Sequence, residues 1–156
     1  MTIWMLKGLL LVVIVTGTGC ASQYKRAWRA YVDKTPEDMF SGRWEGEWIS
    51  KHNGHRGRLR AMIDHLDGNE YNARFHATYA KVLQFTHGNV FTVRPDGPAV
   101  IFNGQNDLGK LAGGMYRYSG KVDADDFVAV YRADVDHGVF TMKRVTGEST
   151  EGMTNQ

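Results

Sequence analysis

Cysteine is almost absent from this chain of 156 residues, and because Cys20 stands alone no disulfide can form within the molecule. Neither sign of charge dominates, since 19 lysines and arginines are balanced by 17 aspartates and glutamates. The chain therefore lacks the excess of positive charge that is typical of nucleic-acid-binding domains. The sequence also lacks a nucleophile elbow and the Lys-Ser/Thr pair of a phosphate-binding loop. Its hydrophobic content is ordinary for one globular domain, and it is distributed as alternation rather than as helical stripes.

The N-terminal residues 1–19 have the order of a secretory signal. A positive residue comes first, then an apolar run too short to cross a bilayer, and then small residues before a cysteine. These parts are Lys7, residues 8–15, Gly17-Thr18-Gly19 and Cys20. The alternative is an uncleaved N-terminal membrane anchor. Both interpretations predict that the folded part lies outside the cytoplasm.

Small residues directly before Cys20 resemble the lipobox of bacterial lipoproteins. The resemblance implies that residues 1–19 are removed and that Cys20 becomes an acylated first residue, with palmitate-type chains holding the protein at a membrane surface. Ala21 follows the cysteine where the inner-membrane lipoproteins of this class have aspartate. The resemblance therefore implies an outer-membrane location facing the periplasm if the organism is Gram-negative.

Residues 20–39 are predicted to contain the lipidated cysteine, a tether and one short helix over residues 22–34. Tyr24, Trp28 and Tyr31 recur at the spacing of one helical face and form an aromatic stripe. The basic residues of this helix suit anionic lipid headgroups. The alternative is that the aromatic stripe packs on the end of the folded domain and the charges remain in water. The basic residues are Lys25, Arg26 and Arg29.

Residues 40–145 predict eight short strands separated by turn residues, and the polar tail 146–156 is expected to be disordered. Eight such strands joined by sequential hairpins predict an all-β fold, an eight-stranded antiparallel up-and-down barrel preceded by a short helix. The predicted strands are 44–50, 58–66, 71–79, 82–93 with a bend at Gly88, 99–103, 115–122, 127–133 and 138–145.

The first strand carries the pattern around which the rest is organised. Side chains alternate along a strand, so Trp44, Gly46 and Trp48 share one face. We predict that this face is buried, because it carries two indole rings. The other face is expected to contact water, because all its residues are charged. Its residues are Arg43, Glu45 and Glu47.

Gly42-x-Trp44 at the start of a first strand resembles the lipocalin and calycin families, and it is also similar to nitrobindin-type haem barrels and avidins. In lipocalins a basic residue of the last strand packs across this tryptophan. The resemblance therefore implies a structural pair of Trp44 and Arg144, because the last strand ends where the first begins. It implies the architecture of a small ligand-binding barrel, and we assign no cofactor.

Up-and-down order places alternate connections at opposite ends of the barrel. The short turns 67–69, 95–97 and 123–126 define the tight-turn end, which we predict to be closed by its turns with the helix as an additional cover. The longer connections define the loop end, which is the predicted mouth. They are residues 51–55, 80–81, 106–114 and 134–137.

The inward ends of the strands at the loop end are mainly aromatic, which suits a planar or acyl ligand held by apolar contact. The alternative is that these rings interdigitate and leave no space. The candidate ligand-binding residues are Trp48, Tyr79, Tyr116 and Tyr131, with Leu59 and Leu83 beside them.

Imidazoles and carboxylates also collect in the loops of the loop end. Such a set suits a transition metal or acid/base chemistry, although the same residues are ordinary in solvated turns. We therefore predict neither a metal nor a catalytic residue, and His65, His76 and His87 add nothing to this set. Its members are His52, His55, His137, Asp107, Asp134 and Asp136.

Three hypotheses for function follow. The first is a membrane-anchored lipoprotein whose barrel binds a small apolar or aromatic ligand. The second is a structural or interaction lipoprotein of the cell envelope with a filled barrel and an envelope protein as partner. The third is an enzyme with a metal or acid/base site at the loop end. We expect the membrane as a partner through the N-terminal lipid and no nucleic acid.

Overall fold

The computed structural model describes residues 18–79, 83–110 and 114–147, with side chains for all of these except 18–22 and 83–86. The predicted signal up to residue 17 and the predicted tail from residue 148 lie outside the described residues. One helix and eight strands follow one another. They are α1 (Thr18–Ala30), β1 (Gly42–Ser50), β2 (Arg56–Asp67), β3 (Glu70–Tyr79), β4 (Leu83–Asp96), β5 (Ala99–Asp107), β6 (Met115–Asp123), β7 (Asp126–Arg132) and β8 (His137–Arg144).

The strands form a closed barrel in which each pairs antiparallel with its sequence neighbours and β8 pairs with β1. The predicted fold class, an all-β lipocalin-like barrel of eight up-and-down strands with a short N-terminal helix, is confirmed. At the closing ladder a Cβ atom added to Gly46 would lie 1.9 Å from the carbonyl oxygen of Thr141. The glycine between the two tryptophans is therefore required by the close approach of β1 and β8.

Several strands extend beyond their predicted ends. β4 continues to Asp96 and β5 to Asp107, because backbone pairing persists where the apolar alternation has stopped. The pairing of β4 with β3 also runs through Gly88 without a shift in register, although the sequence predicted a bend there. The inward and outward side chains of β4 consequently alternate from His87 to Arg94.

Phe40 closes the tight-turn end from inside the barrel. It is 1% exposed, and its ring centroid lies 5.0 Å from that of Phe102 and 5.1 Å from that of Tyr71. The indole N–H of Trp44 donates to the Phe40 carbonyl oxygen at 3.1 Å and holds this segment in place. The connection between the helix and β1 therefore fills the tight-turn end, and the prediction that the helix covers it is wrong.

Helix α1 lies along the outer wall of the barrel instead. Tyr24, Trp28 and Tyr31 are all buried, as the stripe predicted, and they pack with Met62 on the outward face of β2. The Tyr31 hydroxyl lies 2.8 Å from the Ile63 carbonyl oxygen and anchors the end of the helix to the same strand. The stripe packs on the wall because Met62 offers it an apolar contact there, whereas Phe40 already fills the end of the barrel. Among the described residues, no helix is long and apolar enough to cross a bilayer.

The helix also ends earlier than predicted, at Ala30 rather than at residue 34. The Tyr31 amide still donates to Ala27 four residues back, whereas the Val32 amide donates to Arg29 only three residues back. This tightening of the last turn ends the helix ahead of the proline that the sequence used as its stop signal.

Arg43 corrects the prediction that the charged face of β1 contacts water. It is 3% exposed beneath α1, and its guanidinium carbon lies 5.2 Å from the centroid of the Trp28 ring. The guanidinium carbon of Arg60 lies 5.1 Å from the same ring. Contacts of this kind contribute about 0.5 to 2 kcal/mol each. Alternation assigned Arg43 to the outer face correctly, but it could not show that a helix covers that face.

Replacing Trp28 by alanine is expected to detach α1 while the barrel stays folded, because Trp28 supplies the centre of the helix contact. The free energy of unfolding should fall by about 3 kcal/mol. Hydrogen–deuterium exchange should accelerate in residues 18–30 and remain slow in the strands. Lys25→Ala, on the exposed side of the helix, is the control and should change neither quantity. Unaltered exchange in α1 after loss of Trp28 would contradict this account of the wall contact.

Candidate functional site

The four aromatic residues predicted to bind a ligand lie together at the loop end as two pairs. The ring centroids of Trp48 on β1 and Tyr79 on β3 are 6.1 Å apart. Tyr116 on β6 and Tyr131 on β7 are stacked with centroids 6.0 Å apart. Tyr131 is buried, whereas the other three are partly exposed, as the rim of an opening would be. Their role in binding stays a prediction.

Tyr131 is held by a small network at the base of the β7–β8 loop. Its hydroxyl donates to Asp136 Oδ2 at 3.0 Å, and the Ser50 hydroxyl donates to Asp136 Oδ1 at 2.6 Å. Burial and the hydrogen bond to Asp136 raise the pKa of the Tyr131 hydroxyl above its ordinary value. Because the hydroxyl of Tyr131 is already hydrogen-bonded to Asp136, only the aromatic ring of Tyr131 is available to contact a ligand. Leu59 is buried below the rim, and the side chain of Leu83 lies outside the described part of the chain.

Two polar side chains of β4 point into the barrel, and the sequence analysis assigned neither of them to a site. His87 and Asn89 lie opposite Phe75 and Ala73 in the β3–β4 ladder, and both partners are fully buried in the core. Asn89 is 4% exposed, and neither atom of its side-chain amide has a hydrogen-bond partner among the described residues. His87 Nε2 is likewise without one. Leaving such a group unsatisfied costs about 1 to 3 kcal/mol.

The surroundings of His87 are apolar. Its ring stacks on that of Phe75 with centroids 5.3 Å apart and planes 21° apart. Burial lowers the pKa of the His87 imidazole below its ordinary value, so the ring is uncharged at neutral pH. The signal for both residues was present in the sequence, because they alternate with the inward-facing Phe91. The bend predicted at Gly88 obscured that alternation.

The backbone pairing between β4 and β5 ends close to Asn89. The β4–β5 ladder ends at the pair formed by Phe91 and Gly104. From there toward the loop end, the described residues of β4 pair with β3 only. The side-chain amide of Asn106 donates to the Gly88 carbonyl oxygen at 2.7 Å and bridges the two strands. In this region one side-chain hydrogen bond therefore links β4 and β5 in place of backbone pairing.

Arg144 is the one cationic residue at an inward position of the described strands, and it lies at the tight-turn end. It is directly opposite Trp44 in the β1–β8 ladder, with its guanidinium carbon 4.3 Å from the centroid of the indole ring. The guanidinium donates to the carbonyl oxygens of Ser41, at 2.7 Å, and Met39, and Nε lies 3.2 Å from a carboxylate oxygen of Asp125. The two predicted partners are thus in contact, and their structural role is tested below.

The imidazoles and carboxylates of the loop end do not converge. The rings of His52 and His137 are 6.3 Å apart, whereas His55 packs on Tyr79 with centroids 4.7 Å apart. Asp136 is engaged by the hydroxyl network. Within the described ranges, no group of three or more histidine, cysteine, aspartate or glutamate residues is placed to hold a metal ion. The chemistry of this end is therefore that of aromatic faces and two buried polar groups.

A separate open groove of about 480 Å³ lies on the outside of β5, β6 and β7. Outward-facing side chains form most of its walls, and Val128 and Val130 are both exposed there. Nothing in this groove corresponds to the buried amide of Asn89, so we place the candidate site inside the barrel.

No family model matches this chain, and no curated protein matches it. Among solved structures, the chain is similar to the crystal structure of a point mutant of the fluorescent protein UnaG, with 15% identity and a TM-score of 0.39. The match covers 69% of this chain and 97% of that protein. The strand pairing of this chain itself establishes its architecture, a closed barrel of eight antiparallel up-and-down strands with one short helix.

Proposed function

We propose that the barrel binds a small, mainly apolar ligand in the half of its interior that adjoins the loop end. An eight-stranded barrel has an interior that side chains just fill or that holds one small ligand. The observation that carries the proposal is the amide of Asn89, which is buried and has no hydrogen-bond partner among the described residues. A barrel filled only by side chains would be more stable with an apolar residue at this position. A ligand with a polar group offsets the cost of keeping asparagine.

The packing of the other half confines the ligand. At the tight-turn end Phe102 and Phe127 have ring centroids 4.8 Å apart, and Phe40 fills the space between them and the end of the barrel. Toward the loop end, β3 presents the small residues Ala73 and Ala77 inward, on either side of the buried ring of Phe75. The proposed site therefore extends from the aromatic rim to Asn89.

Nile red, an uncharged dye that fluoresces in apolar surroundings, tests this proposal. The full chain should bind the dye with a blue-shifted emission. Tyr79→Ala, which removes a partly exposed ring packed on Trp48, should weaken binding by about tenfold. Val130→Ala, in the outer groove, is the control and should leave binding unchanged. Absence of dye binding to the wild type, or a loss caused by Val130→Ala alone, would contradict an interior site.

We further propose that the chain is an exported lipoprotein acylated at Cys20, because small residues precede this lone cysteine. Tyr31 contacts Asp64 near the tight-turn end, whereas the ring of Tyr24 stacks on His76 nearer the loop end, with centroids 4.7 Å apart. The helix therefore runs from the loop-end side toward the tight-turn side. Cys20 precedes Tyr24 by about 6 Å of helix. An acyl chain at this position would hold the mouth of the barrel close to a membrane.

The exposed side of α1 fits the same location. Its basic residues each contribute about 1 kcal/mol near an anionic lipid surface. If the organism is Gram-negative, the proposed location is the periplasmic face of its outer membrane. The exposed basic residues are Lys25, Arg26 and Arg29.

Replacing Cys20 by serine is expected to abolish acylation, because the chain has no other thiol. Cells expressing the full chain are labelled with an alkyne analogue of a fatty acid. The wild type should carry label and sediment with membranes, and Cys20→Ser should do neither. Equal labelling of the two proteins would reject acylation at this residue.

A further inference from the structure

We infer that the ligand of this barrel carries an uncharged polar group that both donates and accepts a hydrogen bond, as an amide does. The inference rests on the proposed function and concerns the group that meets Asn89. It describes a ligand with an apolar or aromatic body and a neutral amide-like group, and it excludes an anionic lipid as the preferred occupant.

The first reason is the chemistry of the unmet atoms. A side-chain amide has an NH₂ group that only donates and an oxygen that only accepts. Both atoms of Asn89 lack partners among the described residues. A carboxylate would satisfy the nitrogen and leave the oxygen unmet, and a simple ketone would do the same. A group with an N–H beside a C=O satisfies both atoms at once.

The second reason is the absence of a positive charge from the described part of the site. The cationic side chain at an inward position, Arg144, is held at the tight-turn end by Ser41 and Met39. The ring of His87 packs against that of Phe75, and burial lowers its pKa so that it is uncharged at neutral pH. A carboxylate placed beside these residues would lose its hydration without gaining an opposite charge, which is costly. An uncharged group has no such cost.

The third reason is the small side chain opposite Asn89. Asn89 lies opposite Ala73 in the β3–β4 ladder, so β3 presents only a methyl group there. On its other side the β4–β5 ladder has already ended. His87, two residues along the same inward face and about 7 Å away at Cα, supplies a second unmet polar atom, Nε2, for the same or an adjacent group.

Decanamide and decanoate test the inference, because they share one alkyl chain and differ only in the polar group. Each is titrated against Nile red bound to the full wild-type chain, at a pH where decanoate is ionised. Decanamide should displace the dye at a concentration more than about tenfold lower than decanoate does. Lowering the pH until decanoate is protonated should narrow that difference.

Asn89→Leu identifies the residue responsible. This variant should bind Nile red, lose about tenfold in affinity for decanamide and show little change for decanoate. It should also melt at a higher temperature than the wild type, because it removes an unsatisfied buried amide. Asn103→Leu, the same substitution at an exposed position of β5, is the matched control and should leave both affinities unchanged. If Asn89→Leu does not fold, Asn89→Ala supplies the same comparison.

The outcomes separate this inference from the proposed function. Equal or tighter binding of decanoate overturns the inference and leaves an interior binding site standing. Displacement by neither compound also overturns it. Equal loss of decanamide binding in Asn89→Leu and Asn103→Leu rejects Asn89 as the recognition residue. Failure of Nile red to bind the wild type rejects the proposed function itself.

Discussion

Replacing Trp44 by alanine is expected to lower the free energy of unfolding by about 3 to 5 kcal/mol. Trp44 is fully buried, its indole N–H donates to the Phe40 carbonyl oxygen, and the Arg144 guanidinium lies over its ring. The substitution therefore leaves a large cavity at the point where β1 meets β8 and removes the anchor of the segment that closes the tight-turn end. Urea denaturation followed by far-ultraviolet circular dichroism measures the loss.

Two further variants serve as a comparison and a control for the loss of stability in Trp44→Ala. Arg144→Ala should cost less than Trp44→Ala, because it removes hydrogen bonds at the end of the barrel rather than a filled volume. Leu66→Ala, at an exposed position of β2, should change the free energy of unfolding very little. A Trp44→Ala protein that unfolds at the wild-type urea concentration would contradict the assignment of β1 and of the barrel closure.

Replacing Tyr131 by alanine is expected to cost roughly 3 kcal/mol or more. Tyr131 is buried, its ring centroid lies 5.1 Å from that of Phe140, and its hydroxyl donates to Asp136. Removing the ring opens a cavity and breaks the network that holds the β7–β8 loop. Thermal and urea unfolding of the ligand-free protein measure this loss.

Tyr79→Ala is the comparison that separates a binding barrel from a filled one. Tyr79 is only partly buried at the rim, so in a binding barrel its loss should reduce ligand retention with a small change in stability. In a filled barrel, Tyr79→Ala and Tyr131→Ala should both be strongly destabilising and no ligand should be found. That second pattern would support the interaction lipoprotein over the binding protein.

Sequence alternation was sufficient to predict the barrel and its two ends. Trp44 and Trp48 lie on the same face of a strand, and this predicted which face of β1 points inward. The up-and-down order of the strands predicted that Trp44 and Arg144 lie at the same end of the barrel. The same order gathered the four aromatic residues at the loop end. These predictions succeed because a closed sheet propagates the side-chain period of each strand to its neighbours.

Two features needed the three-dimensional structure. The position of α1 depends on which surface of the barrel accommodates its aromatic stripe, and the sequence does not encode that choice locally. The burial of Arg43 follows from it. Asn89 escaped notice because an asparagine beside Gly88 is typical of a turn, and only an unbroken β3–β4 ladder places it inside the barrel.

Native mass spectrometry of the full chain, purified from its own source, tests the central claim most directly. The account predicts that the wild type retains a small neutral organic molecule, that Asn103→Leu retains the same molecule, and that Asn89→Leu loses it while remaining folded. A wild-type protein that carries no molecule apart from its acyl chains, or an Asn89→Leu protein that retains the molecule undiminished, would contradict the account.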